Sequence, residues 1–254
     1  MKKLVALLMC VLLVFGLVAC GNDAKETEGA KKEVLTVGIS PDYPPYEFYD
    51  AATGDVVGSD VELAKYIAEK LDMELEIVEM GFDGLLGSLS EGKFDLVISG
   101  MSIRPDRDCL FSDAYLSAEQ ALLVPAGMED AYASLDALMG KKIGGQMSAL
   151  QEDLAKQYAG DGAQIVANVQ DMIMMVAEGK LDGMFCESAV ALSAASKSDK
   201  VAVANLAVPT EENLLAVCMK TGDTEMAAKI NPIIKEVVDN NLYGEWLLEA
   251  LDAQ

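Results

Sequence analysis

Two charged side chains, Arg107 and Glu187, stand out as groups able to hold a small polar molecule. Arg107 closes the stretch SGMSIRPDR (99–107). A guanidinium keeps its charge and forks two parallel bonds to a carboxylate. Pro105 suits the first turn of a helix, so the spacing predicts a helix beginning here, with exposed backbone N–H groups that also attract anions. Within the same stretch Ser102 offers a hydroxyl and an N–H, and Gly100 an unobstructed carbonyl. Glu187 ends the run LDGMFCE and offers a carboxylate suited to an ammonium group. A fixed cation facing an anion across a cleft suits a zwitterion. By residue type alone, Arg107 could equally pair with Asp106 or Asp108 at the surface.

The elements that would position these groups are written in the hydropathy pattern. Residues 34–40 (VLTVGIS) alternate as a strand, and Asp60 can cap a helix DVELAKYIAEKL whose apolar positions Val61, Ala64, Ile67, Ala68 and Leu71 share one face. ELEIVEM reads as a strand, FDGLLGSL as a short helix, and FDLVISG as a continuous apolar strand of the buried parallel type. The same grammar repeats beyond residue 120: strand KKIGG, helix SALQEDLAKQYA, strand AQIVANV, helix QDMIMMVAEG with methionines as core filler, and strand LDGMFCE. NLLAVCMK is a further strand. A helix from Asp223, which Pro232 should kink or divide, and a last helix around Trp246 complete the chain.

The alternation of strands and helices predicts α/β architecture with parallel sheets covered on both faces. EGKFDLVISG (91–100) and EGKLDGMFCE (178–187) share a helix stop followed by a buried strand. That echo predicts two similar lobes, with Gly100 and Glu187 at equivalent strand ends, where ligands of such sheets bind.

Composition narrows the function. The 254 residues carry a formal charge of −23, which opposes nucleic acid and anionic membrane surfaces and reads as a solvated surface. There is no histidine, which removes the commonest metal ligand and general base; no metal or cofactor is expected. Residues 1–19 read as a secretory signal: Lys2 and Lys3, an apolar stretch too short for a membrane span, and Ala19 before Cys20. Residues 21–33 are polar and predict a flexible tether. Cys109, Cys186 and Cys218 are widely spaced without CxxC, and read as buried thiols rather than a disulfide or metal site.

The ending LVACG (17–21) resembles a lipobox, which implies lipidation at Cys20 and an anchor at the outer face of the cytoplasmic membrane. From about residue 34 to 250 the chain resembles the family 3 extracellular solute-binding proteins, the amino-acid receptors of bacterial ABC importers. The motifs are YPPYEF (43–48), GSDVELAKYIAEKL (58–71), SEGKFDLVISGMSIRPDR (90–107), FSDAY (111–115), KKIGGQMSALQE (141–152) and EGKLDGMFCE. The resemblance implies that Arg107 and the N–H groups of Ser102 and Leu150 hold a ligand α-carboxylate. The Gly100 carbonyl, the Ser102 hydroxyl and Glu187 would hold its α-ammonium, and Tyr43 would cover its side chain. Gly100 and Leu150 replace the usual serine and threonine in roles the backbone can fill, and Ala149 replaces a common hydroxyl residue. Ser40 stands where relatives that bind basic amino acids carry aspartate, which disfavours lysine or arginine. Ser59 replaces a frequent phenylalanine, and Arg104 a threonine that caps the helix, a bond arginine cannot accept, so that Arg104 is either structurally tolerated or favours an acidic ligand. Tyr43, Ser99 and Met101 are cleft candidates that could also be packing.

The implied fold is the two-lobed, type II periplasmic-binding-protein fold with two hinge crossings, near Ala118–Ala121 and Asn213–Val217. Lobe 1 would combine 34–119 with 218–254, and lobe 2 would be 120–217. The implied function is capture of a free amino acid with lobe closure and delivery to a membrane permease, by a monomer and without catalysis. The alternatives are an enzyme resembling cyclohexadienyl dehydratases, with Glu187 as general acid, and an orphan sensor lipoprotein.

Overall fold

The computed structural model describes residues 32–252. The signal, lipidation and most of the tether expectations lie outside them. In chain order the elements are β1 (Val34–Ile39), a small sheet of β2 (Asp42–Tyr43), β3 (Glu47–Tyr49) and β4 (Val56–Val57), α1 (Ser59–Lys70), β5 (Glu74–Glu79), α2 (Phe82–Ser90), β6 (Leu96–Val97) and the long β7 (Leu110–Pro125). There follow β8 (Ile143–Gln146), α3 (Leu150–Ala159), β9 (Ala163–Val166), α4 (Val169–Ala177), β10 (Gly183–Glu187), α5 (Ser188–Lys197), β11 (Val201–Val203), the long β12 (Val208–Met219), α6 (Thr224–Asp239) and α7 (Leu242–Asp252).

The strands form one curled sheet in the order β5-β1-β6-β12-β7-β10-β8-β9, with β11 added to β7. Parallel β5-β1-β6 form the first lobe and parallel β10-β8-β9 the second. Between them β7 and β12 run antiparallel through both, paired from Leu110–Met219 to Gln120–Val208. Their register shifts at three places between Val208 and Cys218. Bulged antiparallel strands twist and bend more readily than regular ones.

Each lobe is built as its hydropathy period requires. Helix α1 buries Val61, Leu63, Ala64, Ile67 and Ala68, and each large aliphatic side chain so buried contributes about 1.5–3 kcal/mol. Leu35, Val37 and Ile39 of β1 are fully buried. In the second lobe Met172 of α4 is fully buried and Met175 packs on the core, whereas Met174 faces solvent, so the methionine run is only partly core filler. The echoed EGK segments end α2 and α4 identically: Gly92 and Gly179 take φ of 75° and 67°, and Lys93 and Lys180 donate back to Ser88 and Met175 carbonyls.

Four local expectations are not met. No helix begins at Pro105; Arg104–Arg107 is a turn closed by the Arg107 N–H on the Arg104 carbonyl. The reason is β12, to which Ile103 N–H and the Met101 carbonyl are bonded through Leu214 and Ala216. Asp60 does not cap α1, which starts after Gly58 without a side-chain cap. Of FDLVISG only Leu96–Val97 is strand. Pro232 lies within an undivided α6, whose cap is Asp223 accepting from the Met226 N–H.

Candidate ligand site

The Arg107 guanidinium is held in place from both lobes. Nη1 donates to the Ser102 carbonyl at 2.6 Å and Nη2 to the Ser148 carbonyl at 3.2 Å, while the group stacks 5.6 Å from the Phe82 ring centroid. A guanidinium has five N–H donors, so these two bonds leave three for an anion. Burial lowers its proton affinity, but a guanidinium so shifted stays charged at neutral pH. Ser148 has φ of 64° and donates its N–H to Glu152, which turns its carbonyl to Arg107. Helix α3 then begins after Ala149 with no side-chain cap, so its first-turn amides remain an anion-attracting edge. Gly145 permits this approach, since a Cβ there would lie 2.2 Å from the Gln151 carbonyl oxygen.

Arg107, Met101 and Ala149 line a cavity of about 410 Å³ together with Phe82, Arg104, Asp106 and Asp153. Arg104 bridges the lobes there: its Nη2 is 2.8 Å from Asp106 and 2.7 Å from Asp153 of α3. Arg104, which cannot accept a helix-cap bond, is thus engaged in ion pairs, and no helix begins beside it. Leu150 lines a neighbouring cavity with Arg104 and Asn213.

Tyr43 is buried in stacking contact with Tyr46, and its hydroxyl reaches the second lobe. It accepts the Glu187 N–H at 3.1 Å and a Gln151 Nε2 bond at 3.4 Å. Glu187 is buried at the end of β10; Oε1 accepts from Asn213 at 3.4 Å and Oε2 has no partner. Burial raises its pKa to about 8.

The remaining sequence candidates do not line the Arg107 cavity. Gly100, with φ of 53°, donates its N–H to Asp60 Oδ2 at 2.6 Å. Ser99 donates to Glu47 at 2.7 Å and accepts the Ser40 N–H at 3.1 Å. Ser40 donates to Asp42 at 3.0 Å and lines a separate cavity of about 360 Å³ with Asp42, Glu79 and Asn168. Ser59 is fully buried, donating to Tyr243, and lines none of these cavities. Asp60 also accepts from Tyr243 at 2.6 Å and Tyr115 at 3.3 Å. Burial, then the neighbouring Asp60, raises Glu47 well above the usual carboxylate range. A proton on Glu47 beside Asp60 makes the two carboxyls compatible in the interior.

Sequence reasoning missed Phe82, Asp42, Gln120, Gln151 and Asn213. Asp42 accepts the first N–H of α4 at 2.7 Å, from Val169, and its carbonyl accepts from Gln170. An acid just after a strand end, in S-P-D, was the available signal for Asp42. Nothing in the local pattern distinguishes Gln120 or Asn213. Cys109, Cys186 and Cys218 are free thiols, the latter two buried. Among the described residues no group of acids and cysteines forms a metal-ligand cluster, and no helix is long and apolar enough to cross a membrane.

Residues 35–249 match the model of the bacterial extracellular solute-binding proteins, family 3. The chain belongs to this family. The arginine-binding extracellular protein ArtP of Bacillus subtilis is 31% identical, over 94% of each chain. The amino acid ABC transporter substrate-binding protein AbpA of Streptococcus pneumoniae, solved with L-arginine, is 31% identical, with a TM-score of 0.83 over 87% of this chain and 95% of its own. An ancestral arginine-binding protein solved with glutamine is 31% identical, with a TM-score of 0.79 over 88% of this chain and 99% of its own. The fold is therefore the two-lobed type II binding-protein fold, and the family member is a solute-binding protein, not an enzyme; the dehydratase alternative is set aside.

Proposed function

We propose that this chain is the extracytoplasmic binding lipoprotein of an ABC importer, anchored through Cys20, which captures a free amino acid between its lobes and presents it to a membrane permease. The observation that carries the reading is the half-buried Arg107 guanidinium, with N–H donors to spare beside the uncapped start of α3. Glu187, with one unpaired oxygen, answers it for the ammonium group. In this reading 34–119 with 218–254 move as lobe 1 against 120–217 as lobe 2, bending where β7 and β12 cross. Ligand contacts on both sides favour closure only through their difference between open and closed forms.

The first ligand to test is L-arginine. Two relatives are named or solved with it, and the Arg107 cavity is bordered by Asp83, Asp106, Asp108, Glu152 and Asp153 against two arginines. Ser40 favours a second reading, an uncharged ligand such as glutamine, since serine gives no charge to a basic side chain. Thermal shift of the mature protein against the twenty amino acids tests both. Stabilisation by arginine above all others supports the first reading and by glutamine the second; no shift from any amino acid would refute the function.

A further inference from the structure

Four buried side-chain polar atoms among the described residues lack a hydrogen-bond partner, and three belong to residues in one place. The exception, Glu47 Oε2, has Asp60 beside it to share a proton. The other three are Glu187 Oε2, Asn213 Oδ1 and Gln120 Nε2. They are joined as follows. Gln120 lies opposite Glu187 in the β7–β10 register, Asn213 Nδ2 donates to Glu187 Oε1 at 3.4 Å, and Gln120 Oε1 accepts from Gln151 at 3.0 Å. Buried polar groups in folded proteins are nearly all paired, so three unpaired in one cluster need an external partner.

The chemistry of that partner follows from the atoms. Glu187 Oε2 and Asn213 Oδ1 are acceptors, and an ammonium group has three N–H donors to divide between them. Asn213 also lines two cavities, of about 500 and 480 Å³, the second bordered by Arg104 and Leu150 on the Arg107 side. Its backbone belongs to β12 opposite Ala118, where the two long strands cross between the lobes.

Resting on the amino-acid reading above, we propose that Asn213 is a ligand-binding residue: its side-chain carbonyl joins Glu187 in holding the ligand ammonium, so that the crossing strand itself is a ligand contact. The ligand then touches both lobes and the strand between them. Occupancy thereby acts on the hinge directly as well as through closure of the cleft.

Calorimetry on the mature chain tests this with L-arginine and 5-guanidinopentanoate, which lacks only the α-amino group. L-glutamine and glutaramate replace them where arginine leaves the melting temperature unchanged. Asn213→Leu should weaken the amino acid by about 10-fold or more while changing the amine-free analogue less than about 3-fold, because a site built to bond a polar group discriminates strongly against its absence. Asn213→Asp, which keeps the acceptor, should discriminate at least as well as the unmodified chain. Unchanged discrimination in Asn213→Leu overturns the proposal. Should that variant fail to fold, discrimination in Asn213→Asp below that of the unmodified chain overturns it instead. An unmodified chain that binds neither amino acid overturns the inference together with the amino-acid reading.

Discussion

Asp60 and Glu187 are both buried acids beside the cleft, one in each lobe, and their surroundings are opposite. Asp60 accepts from the Gly100 N–H, Tyr243 and Tyr115. Glu187 accepts one long bond from Asn213 and leaves Oε2 unpaired. Burial raises both, but the bonds around Asp60 counter the rise, whereas Glu187 stays near 8. A saturated acid is an internal fastener, here fixing the loop that carries Gly100. An under-saturated one holds its capacity for a ligand.

That contrast breaks most severely at Asp60. Asp60→Leu should destabilise the fold by about 3–5 kcal/mol, since it removes one partner of several buried donors; urea unfolding measures it. Glu187→Leu should fold with stability near that of the unmodified chain, because Glu187 contributes few bonds.

In the proposed function Arg107 holds the ligand carboxylate as Glu187 holds its ammonium. Arg107→Ala should cost about 2–5 kcal/mol of arginine affinity, as when one partner of a desolvated charged pair is removed, with a smaller change in melting temperature. Calorimetry that finds unaltered affinity would refute the carboxylate role.

The bare acid should also betray itself by pH. Below about 8 the Glu187 carboxyl of the ligand-free protein is protonated. An ammonium ligand requires the anion, so binding expels a proton, and each pH unit below that value costs about 1.4 kcal/mol. Affinity should therefore rise with pH from 6 to 8 and then level, and Glu187→Gln should flatten the profile. Stability runs the other way. A raised carboxyl favours the native state most below its ordinary value of 4.5, and that advantage is lost as pH rises toward about 8. Unfolding curves across this range check the sign.

The smallest expected effect is at Asp42, whose carboxylate accepts the Val169 N–H at the start of α4 and supplements the Asn168 cap. Asp42→Ala should cost about 1 kcal/mol, the usual value of a helix cap. It should appear as a few-fold weaker ligand affinity and a more open form in small-angle scattering.

Much of the frame is legible along the chain because its causes are local. The EGK stops, the alternation of β1 and the apolar face of α1 each depend on neighbours within a few residues. Arg107 and Glu187 stand out along the chain by side-chain chemistry alone, Glu187 at the end of the second echoed segment and Arg107 seven residues past the end of the first. Ser59, Ser99 and Ser40 were not, since a serine facing a ligand and one bonded to Tyr243, Glu47 or Asp42 look alike in sequence.

What the sequence determined by itself is the alternation of elements, the repeated stop-and-strand unit, and the presence of one suitable cation and one suitable anion. Tertiary structure alone decided that the chain after Met101 pairs with β12 instead of starting a helix, and that Arg104 bridges to Asp153. It also decided which buried acid is saturated. The physical reason is the same in each case: hydrogen-bond satisfaction in the interior is settled by partners distant in sequence, and no local pattern encodes who they are.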